Sequence, residues 1–238
     1  MQVNQNRVLT ASEVVESYNN QQRAEKYSAY FCDTPSHIRK DKREKQCVTA
    51  ALGRIPRGAH VLDIPCGAGR MYPLLKQMGF RTVGADASPY MVELARKRAV
   101  SLKSQNAFME DSFCVADVLN TGFADKQFDA VLCNRLFHHF SCPKTRQTAL
   151  RELSRICSGP IVVSFFSALA TDAHKHYFKK YIRREVIMDR IPISPLTFAK
   201  DVHAVGLKIT HWYMARPLIS KQWYVVLQRA DSFKNSTT

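Results

Sequence analysis

Between residues 59 and 166, short apolar runs alternate with amphipathic stretches of helical period, and this alternation constrains the fold more than any other feature of the chain. The apolar runs lie at 59–64, 81–85, 113–116, 128–133 and 161–166. Helical patterns fill the gaps at 70–78, which Gly79 closes, at 88–102, and at 143–156, where Leu150 and Leu153 stand among charges. Ser88-Pro89 opens the second of these with a capping hydroxyl and a proline at the first helical position. Strand and helix alternating at this spacing predict βαβ units and a mainly parallel sheet. The last third differs: 207–214 and 222–227 read as two strands joined by a short link containing Pro217. A link that short allows an antiparallel pair but not a parallel crossover. The expected fold is therefore α/β, a doubly wound, seven-stranded, mainly parallel sheet with a C-terminal antiparallel hairpin.

Residues 1–56 read as a polar helical extension with a basic stretch at 39–45, residues 57–230 as the α/β domain with a basic helical insertion at about 170–200, and 231–238 as a tail. Hydrophobic residues make up 45% of the 238, enough for a real core. No apolar run approaches the roughly 18 residues of a membrane span, and the N-terminus lacks the apolar segment of a signal peptide. The seven cysteines are odd in number, scattered and without a CxxC pair, which argues against a disulfide framework and against a zinc site. No metal is expected, and the compartment is expected to be reducing and cytoplasmic, so the sequon at Asn235 is taken as chance. The net charge of +15 implies attraction to polyanions, or else a solvated basic surface.

The turn after the first strand reads VLDIPCGAGR at 61–70. Gly67 and Gly69 let the backbone adopt positive φ and approach a ligand at the carboxyl end of the sheet. Tyr72 stands where a dinucleotide fingerprint would have its third glycine. Asp63 lies inside an apolar strand, where an unpaired carboxylate is costly and invites a cationic partner. Asp86 ends the second strand, where a carboxylate can accept two ribose hydroxyls, and Asp117 follows the third, in reach of an exocyclic amine. Each acid alone could be a turn or cap residue; three at successive strand ends form a pattern.

The segments VLDIPCGAGR, VGADASPYMVELARKR, ADVLNTGFADKQFDAVLCNRLFHHF and TRQTALRELSRI resemble the class I, Rossmann-like S-adenosylmethionine-dependent methyltransferases, in particular the type 11-like group. The resemblance spans about residues 58–167. It implies an enzyme with S-adenosylmethionine as cofactor, held by Asp63, Cys66, Gly67, Ala68, Gly69 and Arg70 in the glycine loop. It adds Asp86, Ala87 and Ser88 at the ribose, Asp117 and Val118 at the adenine, and Asn134 and Arg135 after the fourth strand. It also implies an N-terminal helical lid over the cofactor. One departure is Ser158-Gly159-Pro160, where the family often has a Gly-Gly turn.

Methyl transfer from a sulfonium is an in-line displacement, so positioning matters more than acid–base chemistry. His138 and His139, at the mouth of the expected site, are the candidate bases; the alternative is that one braces the next helix. Cys133 and Cys142 lack an activating partner and read as structural. Tyr18, Tyr27 and Tyr30 in the lid could line the pocket or pack. In the basic insertion Lys175, Lys179, Lys180, Arg183, Arg184 and Arg190, interleaved with Phe178 and Tyr181, could grip an anion, or form the solvated face of an amphipathic helix. Tyr30, Lys179, Arg183 and Arg184 are the candidate substrate residues. The expected activity is methyl transfer to a small-molecule or anionic glycan or lipid-type acceptor. The alternatives are a tRNA or rRNA methyltransferase, since ADVLN, FDA, HHF and ALRELSRI also resemble tRNA wobble-uridine carboxymethyl methyltransferases, or a non-catalytic cofactor-binding partner subunit.

Overall fold

The computed structural model describes residues 20–103, 112–183 and 190–230, together with positions 13 and 16. Two helices come first, α1 (Gln21–Tyr30) and α2 (Pro35–Leu52). The alternation then follows as β1 (His60–Asp63), α3 (Tyr72–Gln77), β2 (Arg81–Asp86), α4 (Pro89–Lys103), β3 (Ser112–Val115) and β4 (Ala130–Cys133). A short 3₁₀ turn (Phe137–His139) leads to α5 (Pro143–Ile156) and β5 (Ile161–Phe166), and the chain closes with α6 (Thr171–Arg183), α7 (Pro195–His203), β6 (Leu207–Met214) and β7 (Gln222–Arg229).

The seven strands form one sheet in the order β3-β2-β1-β4-β5-β7-β6. The first five are parallel, and β7 runs antiparallel to both β5 and β6. The hairpin therefore joins the sheet through its second strand. The order reverses between β1 and β4, which opens a crevice at their carboxyl ends, the usual ligand position in such sheets. Strand β4 starts two residues later than its apolar run, because Phe128 makes only an isolated bridge to Cys157.

Alternation along the strands divides the core in two. Val61, Leu132, Val162 and Tyr224 face one side, where Cys47, Val48 and Leu52 of α2 and Leu75 of α3 cover them. Leu62, Val131, Val163 and Val225 face the other, under Leu150, Leu153 and Ile156 of α5 and Phe198 of α7. Strands β4 and β5 are buried along their whole length, as both faces being covered requires. The second half of α2, expected within the N-terminal extension, is thus part of the main core. Among the described residues, no helix is long and apolar enough to cross a membrane.

Candidate functional site

A cleft enclosing about 1100 Å³, mouth included, opens at the carboxyl edge of β1, β2 and β4. Most of the cofactor residues expected from sequence line it: Asp63, Cys66, Gly67, Arg70, Asp86, Ala87, Ser88, Asp117, Val118, Asn134 and Arg135. His138 and His139 line it as well. Two expected residues do not. Ala68 packs with Ala24 of α1 and Met91 of α4, and Gly69 lies so close to α4 that a Cβ would sit 3.2 Å from Ala95. These two shape the loop from behind, with φ of +53° at Gly67 and +71° at Gly69 turning it sharply.

Asp86 holds the loop together. One carboxylate oxygen accepts the Gly67 N–H at 2.9 Å and the other the Ser88 N–H at 2.9 Å. Each oxygen keeps a further lone pair for a ligand hydroxyl. Burial pushes the Asp86 carboxyl up to about 6, against the two N–H groups that pull it down. Asp63 is more extreme. Its Oδ1 is buried without a hydrogen-bond partner among the described residues, and burial, with the Asp86 charge adding to it, pushes the carboxyl up to about 8 despite Arg70. Asp117 is exposed and accepts the Leu119 N–H at 2.9 Å through one oxygen. The Asn134 carboxamide oxygen accepts from Ser164 Oγ at 2.9 Å and Tyr224 OH at 3.1 Å, so its amide N–H groups are what it can present to a ligand.

Two raised carboxyls make the ligand-free fold pH-sensitive. A carboxyl whose folded value exceeds its unfolded one binds more protons in the native state, so its contribution is full below about pH 4 and is lost as the pH rises through the folded value. For Asp63 that loss extends to about 8. Asp63→Asn, which mimics the neutral acid, is expected to match the wild type in thermal unfolding only below about pH 4. By pH 8 it should exceed the wild type by at least about 1 kcal/mol. Equal stabilities across that range would count against a buried, unpaired Asp63.

Two of the cleft's arginines, Arg70 and Arg135, are held from outside it. Arg70 forks onto Asp41 at 2.7 Å and Glu44 at 2.8 Å, and Arg135 reaches Glu44 at 3.1 Å. Phe31, at the end of α1, lies against both guanidiniums, 4.1 Å from Arg70 Cζ and 5.3 Å from Arg135 Cζ to its ring centre. Arg135 has φ of +62°, a strained conformation for a non-glycine residue, costing about 1–3 kcal/mol where it turns the chain from β4 into the histidine turn. Burial, then the neighbouring charges of His139, Arg135, Arg190 and Lys221, hold His138 well below its usual range, so its imidazole is neutral at physiological pH.

The structure sets other expected residues apart. Tyr30 packs on His37, ring centres 3.9 Å apart, and does not line the cleft; its neighbour Phe31 is the aromatic against the cleft arginines. Tyr18 and Arg184 lie outside the described residues, as do the side chains of Tyr27, Lys179, Lys180, Tyr181 and Arg183. Arg190 does line the cleft. Glu44 was hidden by its setting in a basic stretch; Met91, Leu136 and Phe140, which add apolar wall, carry no motif.

Residues 62–159 match the model of a family described as a methyltransferase domain. The domain belongs to the class I, Rossmann-like methyltransferases. Within the curated proteins, the chain is 33% identical over 99 residues to a probable tRNA methyltransferase 9B of Mus musculus, covering 42% of this chain and 19% of the relative. It is 31% identical over 144 residues to a demethylmenaquinone methyltransferase of Thermus thermophilus, covering 59% and 61%. The chain thus spans about a fifth of the length of the first curated relatives it matches. Its fold is that of the magnesium protoporphyrin IX methyltransferase of Synechocystis PCC 6803, crystallised with bound S-adenosylhomocysteine: TM-score 0.72, 17% identity, 92% of this chain and 99% of that one.

S-adenosylmethionine, the methyl donor of this class, brings an ammonium, two ribose hydroxyls and an adenine amine. The methyltransferase domain suits it: the unpartnered buried Asp63 oxygen matches the ammonium, Asp86 the hydroxyls, and Asp117 the amine.

Proposed function

We propose that this chain transfers the methyl group of S-adenosylmethionine to a small-molecule acceptor, glycan and lipid precursors included. The observation that carries the reading is the cleft itself, in which three carboxylates at three successive strand ends stand along one wall and one of them is buried with an unsatisfied oxygen. When bound, the donor supplies a methyl group on a positively charged sulfur, which an acceptor lone pair can displace in line. The chain's own residues position and balance charge. Asp63 would take the ammonium and ionise on doing so. Asp86 would hold the ribose through its remaining lone pairs while keeping Gly67 and Ser88 in place. His138, neutral and with a buried Nδ1 lacking a hydrogen-bond partner among the described residues, can accept a proton or hydrogen bond from the acceptor in the tautomer protonated at Nε2. All seven cysteines are free thiols, which supports a reducing, cytoplasmic setting.

Calorimetry with S-adenosylmethionine and S-adenosylhomocysteine tests the reading. Saturable binding is expected, weakened about tenfold or more in Asp86→Ala. Near pH 6.5 the Asp63 carboxyl, lifted to about 8, is protonated before binding and ionised after it. Titrations in buffers of different ionisation enthalpy should therefore report close to one proton released per site, and much less in Asp63→Asn, where only the Asp86 carboxyl near 6 still titrates. Absence of saturable binding, or unchanged affinity in Asp86→Ala, would sink the assignment.

An RNA acceptor is the second reading, supported by the net charge of +15 and by the likeness to relatives described as tRNA and ribosomal RNA methyltransferases. It requires a complex with RNA that weakens steeply with salt.

A further inference from the structure

Apart from Arg70, which Asp41 and Glu44 hold, the sheet edge that carries the cleft is divided by charge. Asp63, Asp86 and Asp117 stand at the ends of β1, β2 and β3. Cations gather over the other half. Arg135 follows β4, and Lys221 immediately precedes β7. Arg190 is brought in beside the histidine turn, where the Ile191 N–H bonds the His138 carbonyl at 2.7 Å. The ring of Phe166, at the end of β5, is the common support. His138 stacks on it at 3.8 Å with the planes 2° apart, while Lys221 Nζ lies 4.6 Å and Arg135 Cζ 5.5 Å from its centre. Lys40 stands beside the group, one turn before Glu44 on α2, whose carboxylate holds Arg135 at 3.1 Å. Burial, then Arg135, Lys221 and Arg190, push its ammonium down to about 8, while Glu44 acts in the opposite direction. Glu44 is already shared between Arg70 and Arg135. Charges of one sign gathered around low-dielectric walls focus the field into the cleft and favour entry of an anion.

Resting on the methyltransferase reading above, we propose that the β4–β5 half of the cleft is an acceptor subsite, in which Lys40, Arg190 and Lys221 recognise a carboxylate or phosphate group of the methyl acceptor. Arg135, tied to Glu44, positions the site. The two halves then divide the work by charge: a cationic donor against the acids, an anionic acceptor against the bases, with the neutral His138 on the acceptor side. The location favours a small acceptor over a polynucleotide. Arg135 and Arg190 line the cleft, Arg135 is buried, and Lys40, Arg190 and Lys221 are only partly exposed, so these cations do not form an open stripe on the surface.

The test uses the full chain saturated with S-adenosylhomocysteine, titrated with phenyl phosphate, benzoate and neutral benzyl alcohol. Saturable binding of one or both anions, without binding of the alcohol, is expected. The stronger anion identifies the group that is read. The Lys40→Gln/Lys221→Gln double variant should weaken the anion about tenfold or more, and leave S-adenosylhomocysteine affinity within about twofold. Arg190→Gln, which alters no helix or strand, gives an independent weakening should the double variant fold poorly. Equal binding of benzyl alcohol, anion affinity unchanged in the variants, or binding of an RNA oligonucleotide but of neither small anion would overturn the subsite. Failure of the wild type to bind S-adenosylhomocysteine would instead overturn the methyltransferase reading beneath it.

Discussion

Replacing Glu44 with glutamine is expected to cost about 3–5 kcal/mol of stability, a large share of the roughly 5–15 kcal/mol typical of a folded domain. The carboxylate is fully buried on α2 and receives Arg70 at 2.8 Å and Arg135 at 3.1 Å. Burial alone would lift its pKa; the charges of Arg135, Arg70 and Lys40 overcome that and hold it below the usual range. Removing the negative charge takes a buried carboxylate from Arg135 and leaves Arg70 with Asp41 in its place, and loss of a buried counter-charge is what makes such substitutions severe. Urea unfolding is the suitable measurement, because guanidinium chloride would screen the effect. The pH dependence has a definite sign. A carboxylate with a lowered folded pKa stabilises above its unfolded value of about 4.3, and that contribution is lost as the pH falls through the folded value, so the gap between wild type and Glu44→Gln should close in acid. Cofactor affinity should respond unevenly. S-adenosylmethionine carries a sulfonium charge that S-adenosylhomocysteine lacks, so the variant, with more net positive charge at the wall, is expected to lose more affinity for the former. A variant as stable as the wild type would show that Glu44 does not neutralise the cleft arginines.

The second large effect is expected at Arg146, far from the glycine loop. This buried residue of α5 donates Nε to Asp201 of α7 at 2.6 Å, and Nη1 to the carbonyls of Phe140 and Ser141, each at 2.9 Å. Gln147 adds a bond to the other Asp201 oxygen at 3.2 Å. One guanidinium therefore ties two helices to the segment leaving the histidine turn. Arg146→Ala strands the Asp201 carboxylate in the core and releases two carbonyls, with an expected loss of about 3–5 kcal/mol. Arg146→Lys keeps the charge but not the planar fork, and should recover only part of it. Arg146→Met combined with Asp201→Leu, which removes both charges and fills the space, should be closer to wild type in stability than Arg146→Ala. The double substitution still lacks the bonds to Phe140 and Ser141, so faster amide exchange around residues 137–141 should persist in it. Equal stability of Arg146→Ala and the wild type would show that the buried pair contributes nothing.

These two positions mark where sequence reasoning stopped. The strands, the glycine turn and the acids at the strand ends were legible, because each rests on local rules: alternation of apolar residues, the backbone freedom of glycine, and the cost of a carboxylate inside an apolar run. The hairpin was legible from the length of its link. Arg70 and Arg135 could be placed near the cofactor, but not paired, since their partner lies 26 residues before one and 91 before the other. Glu44 looks like one acid in a solvated basic stretch until α2 lies down on the sheet and turns it inward. The same packing puts Phe31, and not Tyr30, against the cleft arginines. His138 could be read as a base or a brace from its position alone; its burial against Phe166 among neighbouring cations, which disfavours the charged imidazole, shows only in the fold. The sequence by itself determined the fold class and the acidic half of the cleft, whose features are written within single strand–turn–helix units. The tertiary structure decided the charge balance of the cleft and the makeup of its basic half, because β4, β5, β7 and α2 meet only when the sheet closes, and the energy of a buried charge depends on every group that closure brings near it.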